Sequence, residues 1–178
     1  EEYYVKRYEE ERNLTTHILL DASGSMEYGD DDQNKFDYAA KIGLGYAYLA
    51  VAENNDFRFS VFTDTFERID SGRSNEGEVL GLIDTVNGTE PDGRADFGRA
   101  LSEYAKTIGS RSLVLAVSDF IGALDGIAES IDSLADHPLR LVCTLSPAEP
   151  HLPATGDPIR DRTHTQTHLR PSARNTTK

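Results

Sequence analysis

Four short runs of branched aliphatic and aromatic residues punctuate the chain, each bounded by polar turn formers. They are His17–Asp21 (HILLD), Phe57–Phe62 (FRFSVF), Ser112–Ser118 (SLVLAVS) and Arg140–Leu145 (RLVCTL). Runs of this length and composition predict buried strands. The first and third are continuously apolar, the pattern of strands covered on both faces in a parallel sheet. Phe66–Ile69 follows Thr63-Asp64-Thr65 and predicts a short antiparallel edge strand reached through a tight hairpin. Tyr3–Glu10 reads as a further strand or an extended lead-in.

Helical periodicity fills the intervals. Lys35–Ala52 is apolar almost all round, and Asn34 is its expected N-cap with Asp37 three residues on. Gly43 and Gly45 lie inside it. Each costs roughly 1 kcal/mol of helix propensity, so close packing against the sheet is the expected compensation. Glu76–Val86, Asp96–Ile108 and Leu124–Leu134 are amphipathic. The resulting order, β, α, β, β, α, α, β, α, β, predicts an α/β fold. Its sheet is doubly wound and mostly parallel, with one antiparallel edge strand and helices on both faces.

Length and charge narrow the picture. A chain of 178 residues fits one domain of ordinary size. Its net charge of −13 argues against nucleic acid or an anionic membrane as the main partner. No stretch reaches the roughly 18 apolar residues of a membrane-spanning helix, and a cytoplasmic location is expected. Met26 is the single methionine, so the sequence reads as a piece of a longer protein. Only 5 residues are Lys against 13 Arg, while 17 Asp exceed 14 Glu. Short carboxylates with few ammonium stems fit a halophilic surface that stays hydrated in concentrated salt; an ordinary acidic domain is the plainer reading.

The charge is uneven along the chain. Residues 1–160 carry −16 and residues 161–178 carry +3, which together give the −13 of the whole. The domain is therefore expected over 1–160, with 161–178 a disordered tail. His164 and His168 in that tail are four apart, but neither a helical context nor a cysteine partner supports a metal pair there. Cys143 lies in an apolar run and reads as a core residue; the Asp30-Asp31-Asp32 run reads as a solvated turn.

Candidate chemistry centres on Asp21-Ala22-Ser23-Gly24-Ser25, at the carboxyl end of the first predicted strand. A carboxylate followed by hydroxyls at alternate positions puts three hard oxygen donors on one tight loop, a set suited to Mg²⁺ or Mn²⁺. Asp119 occupies the corresponding end of the third run. In an open α/β sheet, ligands bind outside the carboxyl ends of strands where the strand order reverses. If those strands are neighbours, Asp21, Ser23, Ser25 and Asp119 converge on one metal site. The plainer alternative is a strand-to-helix turn, since Asp and Ser hydrogen-bond nearby backbone amides and favour such turns.

The same residues resemble the metal-ion-dependent adhesion site of von Willebrand factor A domains: D-x-S-x-S at the first strand end and an Asp at a later one. Residues 4–12 (YVKRYEEER), Leu115–Phe120 ending in Ser-Asp-Phe, and Ser146-Pro147-Ala148-Glu149 point to one branch. They are similar to the von Willebrand A-like family often encoded beside MoxR-type AAA+ ATPases.

The resemblance implies a binding module, not an enzyme. It also implies an ion held by Asp21, Ser23, Ser25 and Asp119, with one coordination position open to a partner's acidic side chain. An AAA+ ATPase acting in protein maturation is the partner it suggests. The family's middle loop usually supplies a Thr where this chain has Ala95, in Pro91-Asp92-Gly93-Arg94-Ala95-Asp96. Asp96, Asp92 or a water are the candidates to fill that gap, with Thr89 a further one. A metal-free scaffold is the first alternative. A Mg²⁺-dependent phosphoryl-transfer enzyme is a weaker one, because neither a second Asp two residues after Asp21 nor a glycine-rich phosphate loop is present.

Overall fold

Strand β1 (Thr15–Asp21) is paired on both sides, and this fixes the architecture. It runs parallel to β4 (Asp56–Phe62), from Thr15 opposite Asp56 to Asp21 opposite Phe62. On its other edge it runs parallel to β6 (Ser112–Ser118), from Thr15 opposite Ser112 to Leu20 opposite Val117. Strand β7 (Leu139–Cys143) adds parallel to β6, and β5 (Phe66–Arg68) adds antiparallel to β4. The sheet order is β5-β4-β1-β6-β7. The chain builds outward from β1 on one side, then returns to build on the other, so the order reverses between β1 and β6. The computed structural model describes residues 14–30, 33–109, 112–121 and 131–146.

Alternation along β1 divides the core into two layers. Ile18 and Leu20 face α1 (Lys35–Ala52) and α2 (Glu76–Asn87), packing with Phe57, Phe59, Leu115 and Val117. Leu19 faces the opposite layer, where α3 (Phe97–Ala105) packs with Phe62, Val114, Ala116 and Leu134. Each of these three helices begins at a polar residue whose side chain accepts from one of the free first-turn amides. Asn34 and Asp37 form a reciprocal capping box on α1, Asn75 accepts from the Glu78 amide, and Asp96 accepts from the Arg99 amide. The doubly wound, mostly parallel sheet with one antiparallel edge strand is thus the observed fold.

The differences from the sequence expectation are local. β1 begins at Thr15 and β4 at Asp56, while β7 spans Leu139–Cys143 and ends before Thr144. β5 ends at Arg68, α2 extends to Asn87, and α3 runs only from Phe97 to Ala105, with Asp96 as its cap. Cys143 is exposed, not a core residue; among the described residues β7 pairs with β6 alone and so forms the edge of the sheet. Two elements escaped the pattern: a 3₁₀ turn, η1 (Gly24–Glu27), and a ribbon of β2 (Gly29–Asp30) with β3 (Gln33–Asn34). A Cβ on Gly29 would lie 2.5 Å from Asn34 Cα, so the ribbon closes only around glycine. The Tyr3–Glu10 segment, residues 31–32, most of the Leu124–Leu134 helix and the 161–178 tail with His164 and His168 lie outside the described residues. Among the described residues, no helix is long and apolar enough to cross a membrane.

The two helix glycines turn out to differ. A Cβ on Gly43 would meet the Phe59 ring at 2.9 Å and Ile18 Cγ2 at 3.2 Å, whereas a Cβ on Gly45 would meet nothing within 4 Å. Close packing therefore accounts for Gly43 alone. Gly43→Ala should lose about 1 kcal/mol, the clash outweighing the helix gain. Gly45→Ala should gain about 0.5–1 kcal/mol. Urea denaturation of both variants tests this contrast in sign.

In the layer shared with α3, His17 Nδ1 lies 2.9 Å from the Tyr104 hydroxyl, and the two rings meet edge to face at 5.6 Å. Burial pushes the imidazole pKa down from 6.5 to about 4, helped by the nearby Arg58, His137 and Arg68, with Asp70 acting the other way. Between those values the unfolded chain binds more protons than the folded one. The associated stability is whole above pH 6.5 and is lost as pH falls to about 4, about 3 kcal/mol in all. Urea midpoints measured from neutral pH to about pH 5 should fall steeply in the wild type and much less in His17→Gln. Equal falls would assign the acid sensitivity to other groups.

Candidate metal centre

The strand order reverses between β1 and β6, the position whose carboxyl-end crevice takes the ligand in open α/β sheets, and both predicted carboxylates lie there. Asp21 is the last residue of β1, and Asp119 follows the last residue of β6. Both are buried, at 1% and 5% exposure. Ser23 is buried on the loop that leads from β1 into η1, and Ser25 is half-buried in η1. The structure thus brings all four predicted residues to one end of two neighbouring strands.

Two sets of hydrogen bonds hold the carboxylates, one around Asp21 and one around Asp119. Asp21 Oδ1 accepts from the Ser23 amide at 2.8 Å, and Asp21 Oδ2 accepts from the Ser118 hydroxyl at 2.5 Å. Ser118 Oγ in turn accepts from the Phe120 amide at 2.9 Å. Asp119 Oδ1 accepts from the Ile121 amide at 2.9 Å, and Asp119 Oδ2 receives the Lys35 ammonium at 2.7 Å. Burial pushes the Asp21 carboxyl above its ordinary range and the nearby Asp119 charge pushes the same way; the Ser118 and Ser23 bonds oppose them. Phe120 adopts a left-handed backbone with φ of 54°, a conformation that bulky side chains rarely take. The Ser118 bond and the edge-on packing of its ring against Phe97, 5.1 Å away, hold it there.

The third loop contributes backbone in place of side chains. Gly93 O accepts from the Gly24 amide at 3.0 Å, and the Asp92 amide donates to Ala22 O at 2.9 Å. These bonds lay the 91–93 turn across the first loop. The side chains proposed to fill the gap at Ala95 are used locally. Asp96 caps α3, Asp92 Oδ1 accepts from the Gly93 amide at 2.7 Å, and the Thr89 hydroxyl donates back to Thr85 O at 3.1 Å. Ala95 packs against the apolar layer containing Phe97 and Leu101.

The first loop fits a small divalent ion in donor chemistry. The Ser23 and Ser25 hydroxyl oxygens are 3.2 Å apart, near the edge of about 3.0 Å that follows from metal–oxygen bonds of about 2.1 Å at right angles. On the β6 side the fit is different, because an ammonium already sits on Asp119 Oδ2. Among the described residues, no group of three or more His, Cys, Asp or Glu side chains could hold an ion, and the oxygen donors gathered here are two carboxylates and two hydroxyls.

Sequence reasoning missed Lys35 and Ser118. Lys35 had a readable signal: it precedes Ala39, Gly43 and Ala47 at steps of four, so it shares their buried helix face. Ser118 had none, since one hydroxyl at the end of an apolar strand is commonplace.

Comparison with known proteins places this geometry. The chain is 22% identical over 159 residues to the "Uncharacterized protein Rv1480" of Mycobacterium tuberculosis and, to the same extent, to the "Uncharacterized protein Mb1516" of Mycobacterium bovis. The match takes in 88% of this chain and 50% of each relative, so the chain spans about half the length of the curated relatives it matches. The crystal structure of the conserved hypothetical protein BatB from Bacteroides thetaiotaomicron shares the fold. Its TM-score is 0.59 at 17% identity, over 84% of this chain and 77% of that one. An aerotolerance-related membrane protein from Bacteroides fragilis does so with a TM-score of 0.56 at 17% identity, over 84% and 78% of the respective chains. The family model described as "Protein of unknown function DUF58" matches residues 1–174, and the chain belongs to that family.

Proposed function

We propose that this domain is a protein-interaction module that receives an acidic side chain of a partner at the strand-end crevice. The convergence of Asp21, Ser23, Ser25 and Asp119 on the reversal point of the sheet carries this reading. An acidic partner group approaching a chain of net charge −13 meets repulsion over most of the surface, so its recognition needs a local cation. A bound Mg²⁺ or Mn²⁺ ion would supply that charge and an open coordination position. Asp21, Ser23 and Ser25 would hold it, with Asp119 on the far side. The hydrogen bonds from Ser118 and from the Ser23 amide orient Asp21 in advance, as outer partners orient metal ligands elsewhere.

The resemblance to von Willebrand A-like domains supports the choice of a binding module over an enzyme. It also makes a MoxR-type AAA+ ATPase acting in protein maturation the partner we propose. A metal-free scaffold is the second reading, favoured by the Lys35 ammonium already paired with Asp119.

Calorimetric titration with Mg²⁺ and Mn²⁺ in molar KCl tests the metal-dependent form, the salt suppressing diffuse uptake by the acidic surface. A single saturable site is expected in the wild type, abolished in Asp21→Ala and in Ser23→Ala with circular dichroism unchanged. Equal affinity in either variant would remove the ion from this crevice and leave the metal-free reading.

A further inference from the structure

The geometry points to Lys35 as a built-in cation of the crevice, one that competes with a divalent ion for Asp119; this rests on the reading of the crevice as an ion and carboxylate site. Lys35 is 2% exposed, and its Nζ lies 2.7 Å from an Asp119 carboxylate that is 1% exposed. Lysine is almost never buried to this degree unless it is paired. The helix makes the placement more costly still. Lys35 is the first residue of α1, where the aligned peptide dipoles put partial positive charge, so an ammonium there is at the unfavourable end. Asp119 supplies a countercharge that offsets this arrangement. The Tyr28 ring, 5.8 Å from Nζ, adds its negative face.

Charge bookkeeping makes the two cations alternatives. With both carboxylates ionised and Lys35 charged, the buried set carries −1, from two negative charges and one positive. A divalent ion added with the ammonium in place would bring it to +1, whereas the ion without the ammonium gives neutrality. Two cations on one buried carboxylate repel each other strongly in a site screened from water. Lys35 therefore holds down the divalent affinity of this chain, and it stabilises Asp119 in the absence of an ion.

The test uses Mn²⁺ itself as the probe, titrated in molar KCl into the wild type, Asp21→Ala, Lys35→Met, Lys35→Arg and the Lys35→Met/Asp21→Ala double variant. Removal of the ammonium should tighten Mn²⁺ binding by about tenfold or more. Lys35→Arg, which keeps the cation, should bind as the wild type does, and the double variant should lose the gain. Unchanged or weaker binding by Lys35→Met overturns the competition; if the wild-type site is nonetheless lost in Asp21→Ala, the ion reading of the crevice survives alone. A gain that persists in the double variant puts the ion elsewhere, and overturns both the crevice reading and this inference. Breaking a buried pair destabilises the fold, so melting temperatures are read alongside, with chelator and with millimolar Mn²⁺. A larger Mn²⁺-dependent rise is expected in Lys35→Met than in the wild type. A Lys35→Met protein that stays unfolded even with Mn²⁺ overturns the proposal.

Discussion

Two carboxylates buried side by side at the ends of adjacent parallel strands repel each other, and the surrounding structure is arranged to tolerate that. Asp21 is met by a hydroxyl from β6 and an amide from its own loop; Asp119 is met by an amide and by an ammonium from α1. Each strand end is thus tied to a different element: β1 to β6 through Ser118, β6 to α1 through Lys35. The polar layer closes the carboxyl end of the sheet as the apolar layers close its faces. An unpaired charge at this depth would cost several kcal/mol, so these contacts are conditions of the fold as well as parts of a site.

The arrangement depends in turn on the sheet. Because β1 is central, its carboxyl end has neighbours on both sides, and the reversal of chain direction leaves room there for three loops. The ribbon between η1 and α1 then sets where the helix starts. The Lys35 amide donates to Tyr28 O at 3.1 Å, and Asn34 caps the helix, so Lys35 enters the crevice from a fixed point. A longer excursion between η1 and α1 would have left the helix start, and its ammonium, free to settle elsewhere.

Most of this was legible in the sequence because it rests on local rules. The continuous apolar runs gave the parallel strands, the Asn34 and Asp37 pair gave the start of α1, and the order of elements gave the doubly wound sheet. Asp21, Ser23, Ser25 and Asp119 could be placed together because strand ends in such a sheet share one edge. What escaped depends on partners distant in sequence. The step-of-four pattern places Lys35 on the buried face of its helix, but its partner is out of reach of the pattern: Asp119 comes from β6, 84 residues away. Ser118 meets Asp21 across 97 residues. The exposure of Cys143 follows from β7 being at the sheet edge, and the different surroundings of Gly43 and Gly45 follow from the rotation of α1 on the sheet; neither is encoded in the local pattern.

The 91–93 turn is held on the first loop by carbonyl and amide groups that every residue type other than proline possesses. The left-handed backbone at Gly93, with φ of 74°, favours glycine at that one position, while the bonds to the first loop use no side chain of the neighbouring residues. Asp92 and Arg94 are exposed there, at the rim of the crevice. This rim is a place where the residues facing an incoming molecule can be exchanged over evolutionary time without dismantling the buried polar layer beneath. Preference for one binding surface over another can drift at the rim while the carboxylates below stay fixed.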